Sequence, residues 1–194
     1  MTYNVRNKIL FGGIFMLQKE NSLLLIIDIQ EKLVKMVGPN NPVSQNCQKL
    51  LKASAILNIP CIITEQYPKG LGETISEIKS ANPTAKYFEK TSFSAISTEE
   101  IKKAIITSEK KQVILCGIEA HICVLQTALE LLSIGIEVFV VKDACASRKE
   151  DNFNNAFNRL AQEGARITDT EITLFELLRS STHPNFKEIQ SLIK

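Results

Sequence analysis

Short, uniformly apolar runs recur along the chain, and each is followed by a longer segment with helical periodicity. The clearest runs cover residues 23–27, 60–64, 113–116 and 138–141, and weaker ones cover 86–89 and 165–168. Because these runs do not alternate apolar with polar residues, they are typical of strands buried on both faces of a parallel sheet. The helical segments lie at about 45–57, 98–107, 122–133, 150–162 and 171–179. This alternation predicts a three-layer α/β domain.

Local signals mark several helix ends. Ser97 and Glu100 form a capping-box pattern before the second helix, and Gly135 and Gly164 stand where helix C-caps belong. In open sheets of this kind, ligands bind at the carboxyl ends of the strands. Functional side chains are therefore expected at those ends.

An acid and a cation stand at two of the strand ends. Asp28 directly follows the first apolar run, where it could cap a helix over residues 31–36 or serve in a site. Lys90 follows the weak third run between Phe88 and Phe93, which suits either a solvated lysine or one held at a partly buried position. Neither residue alone decides between these alternatives.

A polar loop that contains glycine follows the second run at residues 64–72. It is either a surface turn or a wall of a pocket. The second interpretation predicts Gln66 and Tyr67 as residues that contact a substrate.

The fourth strand end carries a cysteine in an informative position. The strand breaks at Gly117, the chain turns, and a helix starts near Ile122, which places Cys123 at a helix N-terminus. Free N–H groups and the helix dipole stabilise a thiolate there, so we expect a lowered pKa and a nucleophilic thiol. The same N–H groups could receive an oxyanion. The alternative is that Cys123 is a small buried apolar residue that opens the helix.

Asp28, Lys90 and Cys123 together supply an acid, a cation and a soft nucleophile at three ends of one predicted sheet. Asp28 could remove the thiol proton and later deliver it to a leaving group. Lys90 would hold Asp28 ionised and favour the thiolate. These three residues are the candidate catalytic set.

The motifs around these residues occur in a fixed order along the chain. They lie at residues 25–30, 65–72, 90–94 and 117–124, and are followed by matches at 142–148 and 173–178. In this order they resemble the isochorismatase-like superfamily of hydrolases, and within it the isochorismatase domain-containing proteins. The resemblance covers about residues 23–178.

The resemblance implies a Rossmann-like, six-stranded parallel sheet between helices, with Asp28, Lys90 and Cys123 as a catalytic triad. It also implies a cis peptide bond between Ile118 and Glu119, and an oxyanion hole formed by the N–H groups of Glu119 and Cys123. The expected activity is hydrolysis of a small amide or a related C–N bond through a Cys thioester, with a small molecule as substrate and no cofactor.

This sequence differs from two kinds of relatives within the superfamily, and the differences narrow the expected activity. Metal-dependent nicotinamidases of the superfamily carry an Asp-x-His motif and a further histidine after the second strand. This chain has only His121 and His183, and neither lies in that region, so we expect no metal. True isochorismatases cleave a vinyl ether without relying on a cysteine at the position of Cys123, so its presence favours acyl chemistry. His121 is either a substrate contact or an exposed residue at a helix start.

Two other functions stay open at this point. One is vinyl-ether hydrolysis of the isochorismatase type, and the other is a non-catalytic interaction protein that retains the fold. The 23 Lys and Arg are balanced by 21 Asp and Glu without a basic block, which disfavours nucleic-acid binding.

The cysteine usage and the apolar segments bear on location and assembly. The five cysteines are odd in number and lie mostly in apolar runs, which predicts free thiols and a cytoplasmic location. No apolar stretch reaches the ~20 residues of a membrane span, so no membrane association is expected. The strongly apolar helix over residues 124–132 predicts a homo-oligomer, a dimer or larger, and the resemblance points the same way.

The first residues imitate part of a secretory signal. Arg6 and Lys8 precede the apolar run over 9–17, but no small-residue cleavage site follows it. An alternative is that translation starts at Met16. The chain is expected to divide into three parts, which are an N-terminal extension (1–20), one domain (21–182) and a C-terminal tail (183–194).

Overall fold

The computed structural model describes residues 16–194, and its centre is one parallel sheet. The strands are β1 Ser22–Ile27, β2 Cys61–Gln66, β3 Lys86–Lys90, β4 Gln112–Ile118, β5 Glu137–Ala146 and β6 Arg166–Thr168. Their spatial order is β3-β2-β1-β4-β5-β6, and every neighbouring pair is parallel. The predicted six-stranded parallel sheet is confirmed.

Helices cover both faces of this sheet. They are α1 Glu31–Val37, α2 Val43–Ile56, α3 Pro68–Leu71, α4 Ser76–Ala81, α5 Glu99–Thr107, α6 Leu125–Ser133, α7 Glu150–Gln162, α8 Thr170–Leu178 and α9 Phe186–Ser191. Helix α2 packs with α4 and α8, whereas α6 packs with α7. The chain moves from β1 to β2 in one direction along the sheet and from β4 through β5 to β6 in the other. Because parallel crossovers are right-handed, the two groups of helices lie on opposite faces, which gives the predicted three layers.

The burial of each strand explains how clearly that strand could be predicted from the apolar residues in its sequence. Every residue of β1 and β4 is buried, and all but a few of these residues are apolar, so the two central strands give clear apolar runs in the sequence. Strand β3 lies at the edge of the sheet, and its residues Lys86, Tyr87 and Glu89 are exposed. An edge strand needs fewer apolar residues, which is why its signal in the sequence is weak.

Two predicted helix ends are confirmed, and one is wrong. Gly135 and Gly164 follow α6 and α7 with φ angles of 84° and 96°, which glycine adopts without steric cost. No side chain caps α5. The Ser97 hydroxyl donates to the Glu130 carboxylate instead, so the predicted capping box does not form.

Residues from both flanking segments pack on the domain. Leu17 is fully buried and donates its N–H to the Glu176 carboxylate at 2.9 Å, and Ile189 of α9 is fully buried as well. The domain bounds of 21–182 stay a prediction. Residues 1–15, which hold the basic residues and most of the signal-like apolar run, lie outside the described residues. Within 16–194, no helix has both the length and the apolar character needed to cross a membrane.

Candidate active site

Asp28 stands directly after β1, fully buried, and both of its carboxylate oxygens are engaged. The Thr64 hydroxyl donates to Oδ1 at 2.7 Å, and the Lys90 ammonium donates to Oδ2 at 2.7 Å. The Asp28 backbone has a φ angle of 54°, an uncommon conformation for a non-glycine residue. Helix α1 begins only at Glu31, and no side chain caps it. The helix-capping alternative for Asp28 is therefore wrong.

Lys90 ends β3, and its side chain is fully buried. Because β2 lies between β1 and β3, the Lys90 side chain reaches past the end of β2 to contact Asp28. Besides the Asp28 carboxylate, Nζ contacts the Gln66 Oε1 atom at 2.6 Å and the carbonyl oxygens of Ser92 and Phe93 at 3.4 and 3.3 Å. The solvated alternative for Lys90 is wrong, since this ammonium is buried among acceptors.

Two glutamines hold the end of β2 against this pair. The Gln66 amide accepts from Lys90 and donates to the Thr91 carbonyl oxygen at 2.8 Å. The fully buried Gln30 side chain accepts from the Gln66 N–H at 2.7 Å and donates to the carbonyl oxygens of Gln66 and Gly72 at 3.0 and 2.6 Å. The structure thus places Gln66 beside Lys90, with its amide already engaged inside the protein.

Cys123 lies in a short π-helical turn, Ala120–Val124, that leads from β4 into α6. Regular α-helix begins at Leu125, slightly later than the sequence predicts. Gly117 makes this approach possible, because its φ is 130° and a Cβ atom there would lie 2.1 Å from the Ile27 carbonyl oxygen. The peptide bond between Ile118 and Glu119 is cis, as the resemblance implies.

The Cys123 thiol sits between the acid and the turn. It lies close enough to the Asp28 carboxylate and to the backbone N–H of Glu119 for both groups to affect its pKa, and the residue is only 7% exposed. Burial, followed by the negative charge of Asp28, raises the pKa of Cys123 to about 12 against the opposing effect of Lys90. The expected lowering of this pKa is therefore wrong for the resting site. The thiol rests neutral beside a proton acceptor.

Burial also raises the pKa of the Asp28 carboxyl, while Lys90 and Thr64 act in the opposite direction. A carboxyl group that is desolvated and held by a cation suits proton transfer better than an exposed aspartate does. Asp28, Lys90 and Cys123 are thus brought together. Thr64 and Gln30, which the sequence analysis did not assign to the site, complete the arrangement.

A cavity of about 380 Å³ lies beside Lys90, and its walls include Tyr67, Thr91 and Thr98. Tyr67 is 55% exposed at its rim. The ring of Tyr67 packs on Gly70, where a Cβ atom would lie 2.4 Å from it. The cavity has room for a small molecule next to the buried charges.

His121 is held by side chains from the segment after β5. Its Nδ1 atom lies 2.9 Å from the Ser147 hydroxyl, and its Nε2 atom lies 3.3 Å from the Asn152 amide. Both ring nitrogens are therefore engaged. In the part of the chain from 16 to 194, no three His, Cys, Asp or Glu side chains form a group that could hold a metal ion.

Comparisons with known proteins point to one family. The Isochorismatase domain model matches residues 22–172. Isochorismatase domain-containing protein 2 from Danio rerio is 44% identical over 183 residues, which are 94% of this chain and 91% of the relative.

Two solved structures show the same likeness. The MAR1 ribonuclease from Caenorhabditis elegans is 40% identical, with a TM-score of 0.87 over 92% of each chain. The YcaC gene product from Escherichia coli, described as an octameric hydrolase of unknown specificity, is 26% identical. Its TM-score is 0.83 over 92% of this chain and 96% of that chain.

Proposed function

The chain belongs to the isochorismatase family, and on that premise we propose that it is a cysteine hydrolase that cleaves a C–N bond in a small amide or a related compound. The observation that carries the proposal is the placement of the Cys123 thiol beside the buried Asp28 carboxylate, whose two oxygens are held by Thr64 and Lys90. A nucleophile in contact with its own general base is the arrangement that covalent catalysis requires. No metal or cofactor takes part in the proposed reaction.

In the first half-reaction, the sulfur of Cys123 attacks the carbonyl carbon while its proton moves to Asp28. The carbonyl oxygen takes up the electron pair, and the N–H groups of Glu119 and Cys123 receive the resulting oxyanion. When the C–N bond breaks, Asp28 returns the proton to the leaving nitrogen. The acyl group stays on Cys123 as a thioester.

In the second half-reaction, water attacks the thioester carbonyl and gives a proton to Asp28. The C–S bond breaks, a carboxylic acid leaves, and the sulfur takes the proton back. Lys90 and Thr64 hold the two carboxylate oxygens in one orientation during both transfers. The raised pKa of Asp28 brings it closer to the groups whose protons it carries.

The three predicted substrate contacts have different roles in this proposal. Tyr67 stands at the rim of the cavity and is free to touch a substrate. Gln66 and His121 are engaged with protein groups, so we assign Gln66 to holding Lys90 and His121 to holding the turn.

Mass spectrometry of the intact protein after incubation with small amides tests the proposal. The expected result is an acyl adduct on Cys123 that Cys123→Ala abolishes. Cys145→Ala, which changes a buried thiol outside the site, is the matched control and should keep the adduct. Turnover of a vinyl ether that survives Cys123→Ala would instead support vinyl-ether hydrolysis. Specific ligand binding without turnover of either substrate would support a non-catalytic protein.

The similar C. elegans protein is named a ribonuclease, so RNA cleavage is a separate activity to test. A phosphodiester has no carbonyl carbon for Cys123 to acylate. RNA cleavage by the purified protein that persists in Cys123→Ala would therefore count against the proposed chemistry.

We also propose that the protein is a homo-oligomer. The E. coli relative is described as octameric. Leu129 and Leu132 of α6 are only partly buried, and Ile134 just beyond the helix is 44% exposed. Light scattering at micromolar concentration is expected to give a mass of at least two chains, and a monomer would contradict this.

A further inference from the structure

The Glu119 side chain is anchored by a residue outside the candidate catalytic set. Its side chain is 7% exposed, and its Oε1 atom accepts two hydrogen bonds from Arg148, one from the backbone N–H at 3.1 Å and one from Nε at 2.9 Å. Arg148 itself is 49% exposed and lies just after β5. A buried carboxylate at the catalytic turn is thus tied to an arginine that does not touch the triad.

The backbone of the same glutamate faces the reacting atoms. The Glu119 N–H lowers the pKa of the Cys123 thiol, and the Glu119 carbonyl oxygen accepts from the N–H groups of Ile122 and Val124 at 3.1 and 3.3 Å. Rotation of the Glu119 side chain would therefore also disturb the N–H that the proposed mechanism assigns to the oxyanion hole. We propose that Arg148 is a positioning residue that orients this N–H for acyl transfer.

A second contact ties the turn to the same segment. His121 is held by Ser147 and Asn152, which flank Arg148 on either side in sequence. The turn is thus fastened at Glu119 and at His121 by one stretch of chain. Fastening at two points restricts rotation of the turn more than either contact does alone.

A purely structural ion pair is the competing explanation, and it predicts a different result. An arginine that is half exposed adds little to folding stability through its charge. Arg148 also lines a cavity of about 640 Å³ with Pro42, Lys142 and Phe153, so shortening its side chain leaves no new enclosed void. The buried Glu119 carboxylate keeps the Arg148 backbone N–H as a partner, so loss of the Arg148 side chain should leave the fold in place and affect the chemistry.

Two reagents separate orientation of the oxyanion donor from simple access to the thiol. With p-nitrophenyl acetate, the sulfur attacks the ester carbonyl as its proton moves to Asp28, p-nitrophenolate leaves, and the acetyl group stays on Cys123. That step develops an oxyanion. With iodoacetamide, the sulfur gives its proton to Asp28 and displaces iodide from the methylene carbon, and no oxyanion forms. The ratio of the two rates at Cys123, followed by mass spectrometry, reports the oxyanion donors specifically.

Arg148→Met is expected to lower the acetylation rate roughly 10-fold while alkylation and the melting temperature change little. The loss is smaller than that of a whole oxyanion donor because the Arg148 backbone N–H stays bonded to Glu119. Glu119→Ala removes both contacts and should lower acetylation at least as much. Adding Arg148→Met to Glu119→Ala should lower the rate little further, since the side-chain contact is already lost. Glu119→Gln keeps an acceptor oxygen and should retain most of the rate.

The control is Arg166→Met, which removes the arginine of another Arg–Glu pair, with Glu137 at 3.2 Å. That pair joins the first residues of β5 and β6, at the amino ends of the strands, whereas the candidate site lies at the carboxyl ends. The ratio of acetylation to alkylation should therefore not change in this variant. Equal rates in Arg148→Met and wild type, or a parallel fall of acetylation and alkylation, would overturn the inference and leave the proposed function intact. The inference rests on that function, so a wild-type protein that is alkylated but never acetylated at Cys123 would overturn both.

Discussion

Cys123 and the core thiols around Cys116 occupy two buried regions that differ in what surrounds the sulfur. The Cys47 sulfur lies 3.6 Å from that of Cys116 and 3.5 Å from a backbone carbonyl oxygen. Burial raises the pKa of Cys116 and Cys145, and it also raises the pKa of Cys123. Desolvation alone therefore does not distinguish the candidate nucleophile from the structural cysteines.

The distinguishing feature is the set of partners that Cys123 has and the core thiols lack. Asp28 can take its proton, Lys90 offsets the developing negative charge, and the Glu119 N–H favours the thiolate. A buried thiol with a high pKa can still act as a nucleophile if its proton leaves during the attack. Reactivity in this molecule should follow the proton acceptor more closely than the resting pKa.

Removing the acceptor should make Cys123 behave like a core thiol. Asp28→Asn keeps the shape but not the base, so acetylation by p-nitrophenyl acetate should fall by about two to four orders of magnitude. Because the single change leaves Lys90 as a buried unpaired cation, Asp28→Asn with Lys90→Met serves as a neutral control for folding. Thermal melting checks both proteins. A folded variant that keeps near wild-type acetylation would show that Asp28 is not what distinguishes Cys123 from the core thiols.

Selective alkylation sharpens the comparison without mutation. Brief treatment with iodoacetamide near neutral pH, followed by peptide mapping, should label Cys123 before the other four cysteines. Cys116 is fully buried with no carboxylate partner, so it should be labelled only when the protein unfolds. Preferential labelling of Cys47, Cys61 or Cys145 in the folded protein would contradict the assignment.

Lys90→Met separates charge from packing at the same site. The lysine lowers the pKa of Cys123, so its loss should raise that pKa and move the alkylation profile to higher pH. At a fixed pH, alkylation should be roughly 10-fold slower, the scale expected when a neighbouring opposite charge is lost. Lys142→Met, which removes a lysine close to Phe153 and Phe157, is a suitable control. Superimposable profiles would show that Lys90 does not stabilise the thiolate.

The sheet could be predicted from the sequence because burial on both faces leaves a direct mark on composition. Strands β1 and β4 are buried throughout and carry apolar runs at residues 23–27 and 113–116, and the ends of these runs correctly located Asp28 and Cys123. The pKa of Cys123 could not be predicted in the same way. The helix N-terminus is visible in the sequence, but the depth of burial and the contact with Asp28 depend on how the strands pair.

The site contacts that could not be predicted from the sequence join segments that are distant along the chain. Thr64 ends an ordinary apolar run, and nothing in its neighbourhood shows that its hydroxyl meets Asp28 across the β1 and β2 register. Glu119 and Arg148 are 29 residues apart and meet because β4 pairs with β5. Such contacts belong to the strand register, which a single sequence specifies only indirectly.

Thr64→Val tests the smallest expected difference between the Cys123 site and the core thiols. This difference is the effect of one hydroxyl on the pKa of Asp28, the proton acceptor for Cys123. The Thr64 hydroxyl donates to Asp28 and lowers the pKa of that carboxyl against the effect of burial. Valine has the same shape without the donor, so the pKa of Asp28 should rise further. Asp28 must be ionised to accept the thiol proton, so the acid limb of the acetylation profile should move to higher pH. The rate should fall a few-fold at low pH and change less on the plateau. Thr107→Val, which removes an exposed hydroxyl bonded to its own helix, should leave the profile in place. A limb that stays fixed or moves to lower pH would show that Thr64 does not tune the base.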